Sequence, residues 1–111
     1  MKVLVGYASR HGSTEEIAER IGAGDLRGRC LLKLDVQGFE LSALRGCSEL
    51  LPRFAHVYVE ASFVELYEGQ ALASQVVGHL FAEGFNLTCV ANPTRGKSRK
   101  PIQADFLFSR P

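Results

Sequence analysis

The sequence predicts an α/β domain of two or three layers: a mostly parallel five-stranded sheet, three helices and a C-terminal antiparallel hairpin. Five short apolar runs rich in β-branched residues alternate with helical patterns, and strands separated by helices pair in parallel. Between the last two runs no helix fits and Pro93 and Pro101 punctuate the chain, so those two strands return directly on one another. The 111 residues are 46% hydrophobic and 23% charged, which suits one small core and argues against disorder.

The predicted strands are Lys2–Tyr7, Cys30–Leu34, His56–Val59, Asn86–Val90 and Asp105–Phe108. A first helix over Ser13–Ile21 has Ser13 and Glu16 spaced as a capping box, Ile17 and Ile21 on one face, and Gly22 and Gly24 as stop signals. A second over Phe39–Leu51 turns Leu41, Leu44, Leu50 and Leu51 inward and meets Pro52 just past its end, with Gly46 weakening its middle. A third over Gly69–Glu83 places Leu72, Val76 and Leu80 at i, i+4 and i+8, with Gly84 at the C′ position. The alternation is Rossmann-like. If the second strand lies between the first and third, all crossovers step one way, and the right-handed rule puts all three helices on one face. Val3-Leu4-Val5, Val57-Tyr58-Val59 and Phe106-Leu107-Phe108 are apolar on both faces, so the bare face would seek a partner and the chain is expected to self-associate. The other order, with the second strand beyond the first, would put helix one on the opposite face.

The net charge of +1 gives no general pull toward nucleic acid or an anionic membrane. No apolar run approaches the roughly 20 residues of a membrane-spanning helix. Met1-Lys2-Val3-Leu4-Val5 reads as a strand that begins at once, not as a signal peptide, so the expected location is cytoplasmic. There Cys30, Cys47 and Cys89 stay reduced; their wide spacing matches no metal site, and buried structural thiols are expected. Residues 1–111 form one domain with a weak seam at Gly22–Gly28, dividing residues 1–21 from residues 30–111.

In the first segment, Ala8-Ser9-Arg10-His11-Gly12-Ser13-Thr14 joins the first strand to a helix N-terminus, where unpaired N–H groups and the helix dipole favour phosphate. Arg10 and His11 add positive charge. Residues 1–21 resemble the opening of flavodoxin-like proteins, whose hydroxyl-rich loop holds the phosphate of FMN. The resemblance implies FMN or phosphate contacts from Ser9, His11, Gly12, Ser13 and Thr14. An ordinary strand-to-helix turn with a hydroxyl cap is the other reading.

In the second segment, Leu32-Lys33-Leu34-Asp35-Val36-Gln37-Gly38-Phe39-Glu40 is followed by Leu41-Ser42-Ala43-Leu44-Arg45-Gly46 and His56-Val57-Tyr58-Val59-Glu60-Ala61-Ser62-Phe63. Then come Leu66-Tyr67-Glu68-Gly69-Gln70 and Gln103-Ala104-Asp105-Phe106-Leu107-Phe108. In order and spacing, residues 32–109 resemble the C-terminal half of FkbM-type methyltransferases, class I S-adenosylmethionine-dependent enzymes that often act on hydroxyl groups. Asp35 and Glu60 fall at carboxyl ends of strands, where open α/β sheets place their sites. There a carboxylate would orient a substrate hydroxyl or accept its proton. Glu40 and Glu65 are lesser candidates, and Asp35 would alternatively cap the turn to Gly38.

The family binds S-adenosylmethionine through a glycine-rich loop after strand one and an acid ending strand two. Ser9-Arg10-His11-Gly12-Ser13 departs from that loop, and the segment for strands two and three is absent. The expected function is therefore an FkbM-like methyltransferase remnant or chimera that binds S-adenosylmethionine weakly or not at all and has little or no activity alone. The alternatives are a small FMN- or phosphate-binding protein and a structural chimera without ligand. The connection Asn92–Gln103 carries Arg95, Lys97, Arg99 and Lys100, which reads either as a solvated loop or as a contact for an acidic or phosphorylated substrate.

Overall fold

The computed structural model describes residues 2–7, 29–35, 40–46 and 48–111, with the backbone alone at 2–7, Asp35 and Glu40. The elements are β1 (Lys2–Tyr7), β2 (Cys30–Asp35), α1 (Glu40–Gly46), a 3-10 turn (Leu51–Arg53), β3 (His56–Ser62), α2 (Ala73–Ala82), β4 (Asn86–Arg95) and β5 (Pro101–Ser109). The sheet order is β1-β2-β3-β5-β4. β1 runs parallel to β2 and β2 to β3, with Leu32 opposite Val57 and Leu34 opposite Val59. β5 lies antiparallel between β3 and β4, with Phe108 opposite both Val57 and Leu87.

The expected mostly parallel sheet is overturned. The sheet is mixed, and its antiparallel pairs are the longer ones: seven partners each against six and four in the parallel pairs. The hairpin outgrew its expected ends because neither proline breaks it. Pro101 opens β5, where its missing N–H is tolerated. Pro93 sits with Asn92 (φ 52°) in a register shift of the edge strand β4.

Two α-helices occur among the described residues, and the predicted Ser13–Ile21 lies outside them. α1 stops at Gly46 instead of reaching Leu51, and Leu51-Pro52-Arg53 forms the separate 3-10 turn. α2 starts at Ala73 instead of Gly69, whose φ of 75° is incompatible with a right-handed helix.

Strand alternation sorts the sheet into two faces. Leu32, Leu34, Val57, Val59, Ala61, Ala104, Phe106 and Phe108 are buried on one, beneath Leu41, Ala43 and Leu44 of α1 and Ala73, Val76 and Leu80 of α2. Truncating a buried Phe of this set to Ala would destabilise by about 3–5 kcal/mol. The opposite face bears Lys33, His56, Tyr58, Glu60, Asp105 and Leu107, all exposed or half-buried. The two described helices share one face, as two right-handed crossovers in the same direction require.

α2 ends as its sequence dictates. Gly84 at φ 93° donates to the Phe81 carbonyl, and Phe85 N–H reaches back to Leu80 at 2.9 Å. This is the paired closure that a left-handed C′ glycine permits, with Phe85 folded into the core.

Candidate active-site edge

β1, β2 and β3 end at the same edge of the sheet. Tyr7 pairs with Asp35, and because Leu34 pairs with Val59, Asp35 and Glu60 occupy the same level of neighbouring strands. Parallel strands lie about 4.8 Å apart, so the backbone brings these two sequence-predicted acids side by side. The Glu60 side chain is exposed.

Across β3, Glu60 pairs with Asp105, to which the sequence alone assigns no role. Asp105 accepts a hydrogen bond from Asn92 Nδ2 at 2.8 Å. It also receives the Tyr58 phenol; that bond, then burial and the carboxylate's charge, raise the Tyr58 pKa above its ordinary 10.0. Lys33 Nζ lies 5.6 Å from the centre of the Tyr58 ring. Asp105 thus joins the row of acids only through strand register, a relation that local sequence does not display.

The segment after β3 is shaped by Gln70, which is buried with Ser62. Gln70 Nε2 donates to Ser62 Oγ at 3.0 Å, while its Oε1 accepts from Leu66 and Tyr67 backbone N–H groups. Glu65 is spent locally: its carboxylate accepts from Gly69 N–H at 2.7 Å. Glu40 opens α1. A cleft of about 340 Å³ lies between α1 and this segment, lined among others by Ser42, Arg45, Tyr67, Glu68, Gln70 and Gln75. Gln75 Oε1 also accepts from Leu72 N–H, closing the first turn of α2. These polar groups suit a small hydroxylated ligand.

The predicted phosphate contacts Ser9, His11, Gly12, Ser13 and Thr14 lie outside the described residues. Among the described residues no group of three His, Cys, Asp or Glu side chains could hold a metal ion, and no helix is long and apolar enough to cross a membrane.

No curated protein matches the sequence. Among solved structures, the chain is similar to magnesium protoporphyrin IX methyltransferase (ChlM) from Synechocystis PCC 6803, crystallised with bound S-adenosylmethionine, at 14% identity and a TM-score of 0.51. The match covers 95% of this chain and 59% of that one, and at this identity it is a likeness of fold. The family model for the methyltransferase FkbM domain matches residues 14–87. Because that match takes in well over half of the sequence, the chain belongs to the FkbM methyltransferase domain family.

Proposed function

We propose that the chain is an FkbM-like methyltransferase remnant or chimera in which Asp35 and Glu60 serve the acceptor hydroxyl, and that alone it binds S-adenosylmethionine weakly or not at all. The observation that carries the reading is the shared level of Asp35 and Glu60 on adjacent parallel strands, at the edge where open α/β sheets hold ligands. There one carboxylate would fix the orientation of a hydroxyl and the other would accept its proton at a carboxylate oxygen.

S-adenosylmethionine, when bound to enzymes of this family, supplies the methyl group. The residues present do not fit its usual cradle. β1 has one described neighbour, β2, and among the described residues no strand on its outer side offers a ribose-binding acid. The sequence Ala8–Ser13 lacks the family's acidic, multi-glycine pattern. Titration calorimetry with S-adenosylmethionine is expected to give no micromolar binding, and micromolar affinity would overturn the weak-binding part of the proposal.

A further inference from the structure

The hairpin of β4 and β5 projects past the edge where β3 ends. Ser62, the last residue of β3, pairs with Gln103, and Phe63 N–H donates to the Ile102 carbonyl at 2.7 Å. Beyond that point the hairpin continues to the pair Arg95–Pro101 and closes with Gly96 N–H bonded to Lys100 and Arg99 N–H bonded to Gly96. At about 3.3 Å per residue, the tip stands roughly 7–13 Å beyond Phe63. Local contacts hold its shape. Arg95 Nη1 donates to the Arg99 carbonyl at 2.9 Å, and Ile102 covers Gly96 closely enough to lie 3.0 Å from where a Cβ would stand.

This tip concentrates charge that the net value of +1 conceals. Arg95, Lys97, Arg99 and Lys100 are all exposed, and no acid occurs between Asn92 and Ala104. Beside it, the segment after β3 exposes Phe63, Val64, Leu66 and Tyr67 by 39%, 45%, 47% and 44%, four large apolar side chains within five residues. They are held in place, Phe63 by the Phe106 ring at 5.7 Å and the rest of the segment by Gln70. Two acids stand among them: Glu65 is turned to Gly69 N–H, and Glu68 borders the cleft.

A soluble anion would need the cations but not the apolar cluster, and an apolar partner would need the reverse. A bilayer with anionic headgroups needs both, taking apolar side chains at the headgroup boundary and cations at the phosphates. We propose that this edge, with Phe63, Val64 and Leu66 beside Arg95, Lys97, Arg99 and Lys100, docks the chain on an anionic lipid surface. The proposal is independent of methyl transfer and of cofactor binding.

Flotation of the whole chain with vesicles of phosphatidylcholine alone, and of phosphatidylcholine with phosphatidylserine, tests it. The chain is expected to float only with the anionic vesicles and to be released as salt shortens the Debye length below about 10 Å. Each surface cation contributes about fivefold to such partition, so Lys97→Gln with Arg99→Gln should lower it roughly 25-fold. Leu66→Ser should lower it by about tenfold or more, through loss of apolar burial. Circular dichroism would verify that these surface variants stay folded. Equal flotation with neutral vesicles, or none with anionic ones, would overturn the proposal. So would a Leu66→Ser variant that partitions like the parent while the charge variant does not, since that pattern belongs to a site for soluble anions.

Discussion

Gln70 Nε2 donates to Ser62 Oγ at 3.0 Å, tying the end of β3 to the segment that walls the cleft. The same carboxamide accepts from the N–H groups of Leu66 and Tyr67, so one buried side chain fixes three points of the site. Gln70→Ala should leave the Ser62 hydroxyl buried without this donor and destabilise the fold by about 1–3 kcal/mol. In a domain of this size that is a fall in Tm of roughly 4–8 °C per kcal/mol, readable by thermal unfolding. Faster amide exchange at Leu66 and Tyr67 should accompany it. A variant with unchanged Tm and exchange would show that the segment holds its shape by other means.

Tyr58 gives the site edge a pH signature. Its phenol donates to Asp105, and that bond, with burial and the nearby carboxylate charge, holds the proton on above the ordinary value of 10.0. A phenol whose folded-state pKa is raised adds stability that is fully present below the unfolded pKa. That stability is lost as pH rises through the folded pKa. Asp105→Asn removes the charge and should bring the Tyr58 midpoint down toward 10.0. Ultraviolet titration, with Tyr58→Phe to identify the signal, would read the shift. An unmoved midpoint would contradict the assigned bond.

Two glycines of α2 and its end should respond with opposite signs. Gly78 lies inside the helix with nothing within 4 Å of the position an added methyl would take, so Gly78→Ala should stabilise by about 0.5–1 kcal/mol. Gly84 also has room, its nearest neighbour being Arg110 Nη1 at 3.8 Å, but its φ of 93° disfavours any side chain. Gly84→Ala should therefore destabilise by about 1–2 kcal/mol. Chemical denaturation of both variants would compare them directly. A Gly84→Ala variant as stable as the parent would mean that the helix end relaxes into another turn.

Much of this fold could be read locally. Val76 and Leu80 are buried as their spacing predicts, and Gly84 closes the helix they belong to. Asp35 was recognisable as an acid at a strand end, because its apolar run stops there, whereas β3 runs on past Glu60 to Ser62. What local sequence could not supply was the insertion of β5 between β3 and β4, which adds a second antiparallel pair and sets Asp105 opposite Glu60, far away in sequence. Strand direction and register come from tertiary pairing, and a proline at a bulge or a strand start looks the same as one in a loop. Gln70 was equally hidden, since a buried amide carries no periodic signal. The faces were misjudged at Tyr58, which reads as apolar in sequence but stands half-buried between Lys33 and Asp105.

The penultimate residue closes the core from outside. Arg110 stacks its guanidinium 3.9 Å from the centre of the Phe85 ring and donates from Nη2 to the carbonyls of Leu51 and Glu83. One carbonyl belongs to the 3-10 turn and the other to the end of α2, where a cation also complements the helix dipole. Arg110 N–H meanwhile bonds the Ala55 carbonyl at 3.0 Å, holding the strand end in place for these contacts. Bonds from a charged donor and a stacked cation together suggest a loss of about 2–3 kcal/mol for Arg110→Ala. Arg110→Lys keeps the charge but neither the planar stack nor the two-carbonyl reach, so it should recover less than half of that loss. Equilibrium unfolding of the three proteins decides between the two effects. Full recovery by lysine would show that charge at the end of α2, and not the stack on Phe85, is what Arg110 contributes.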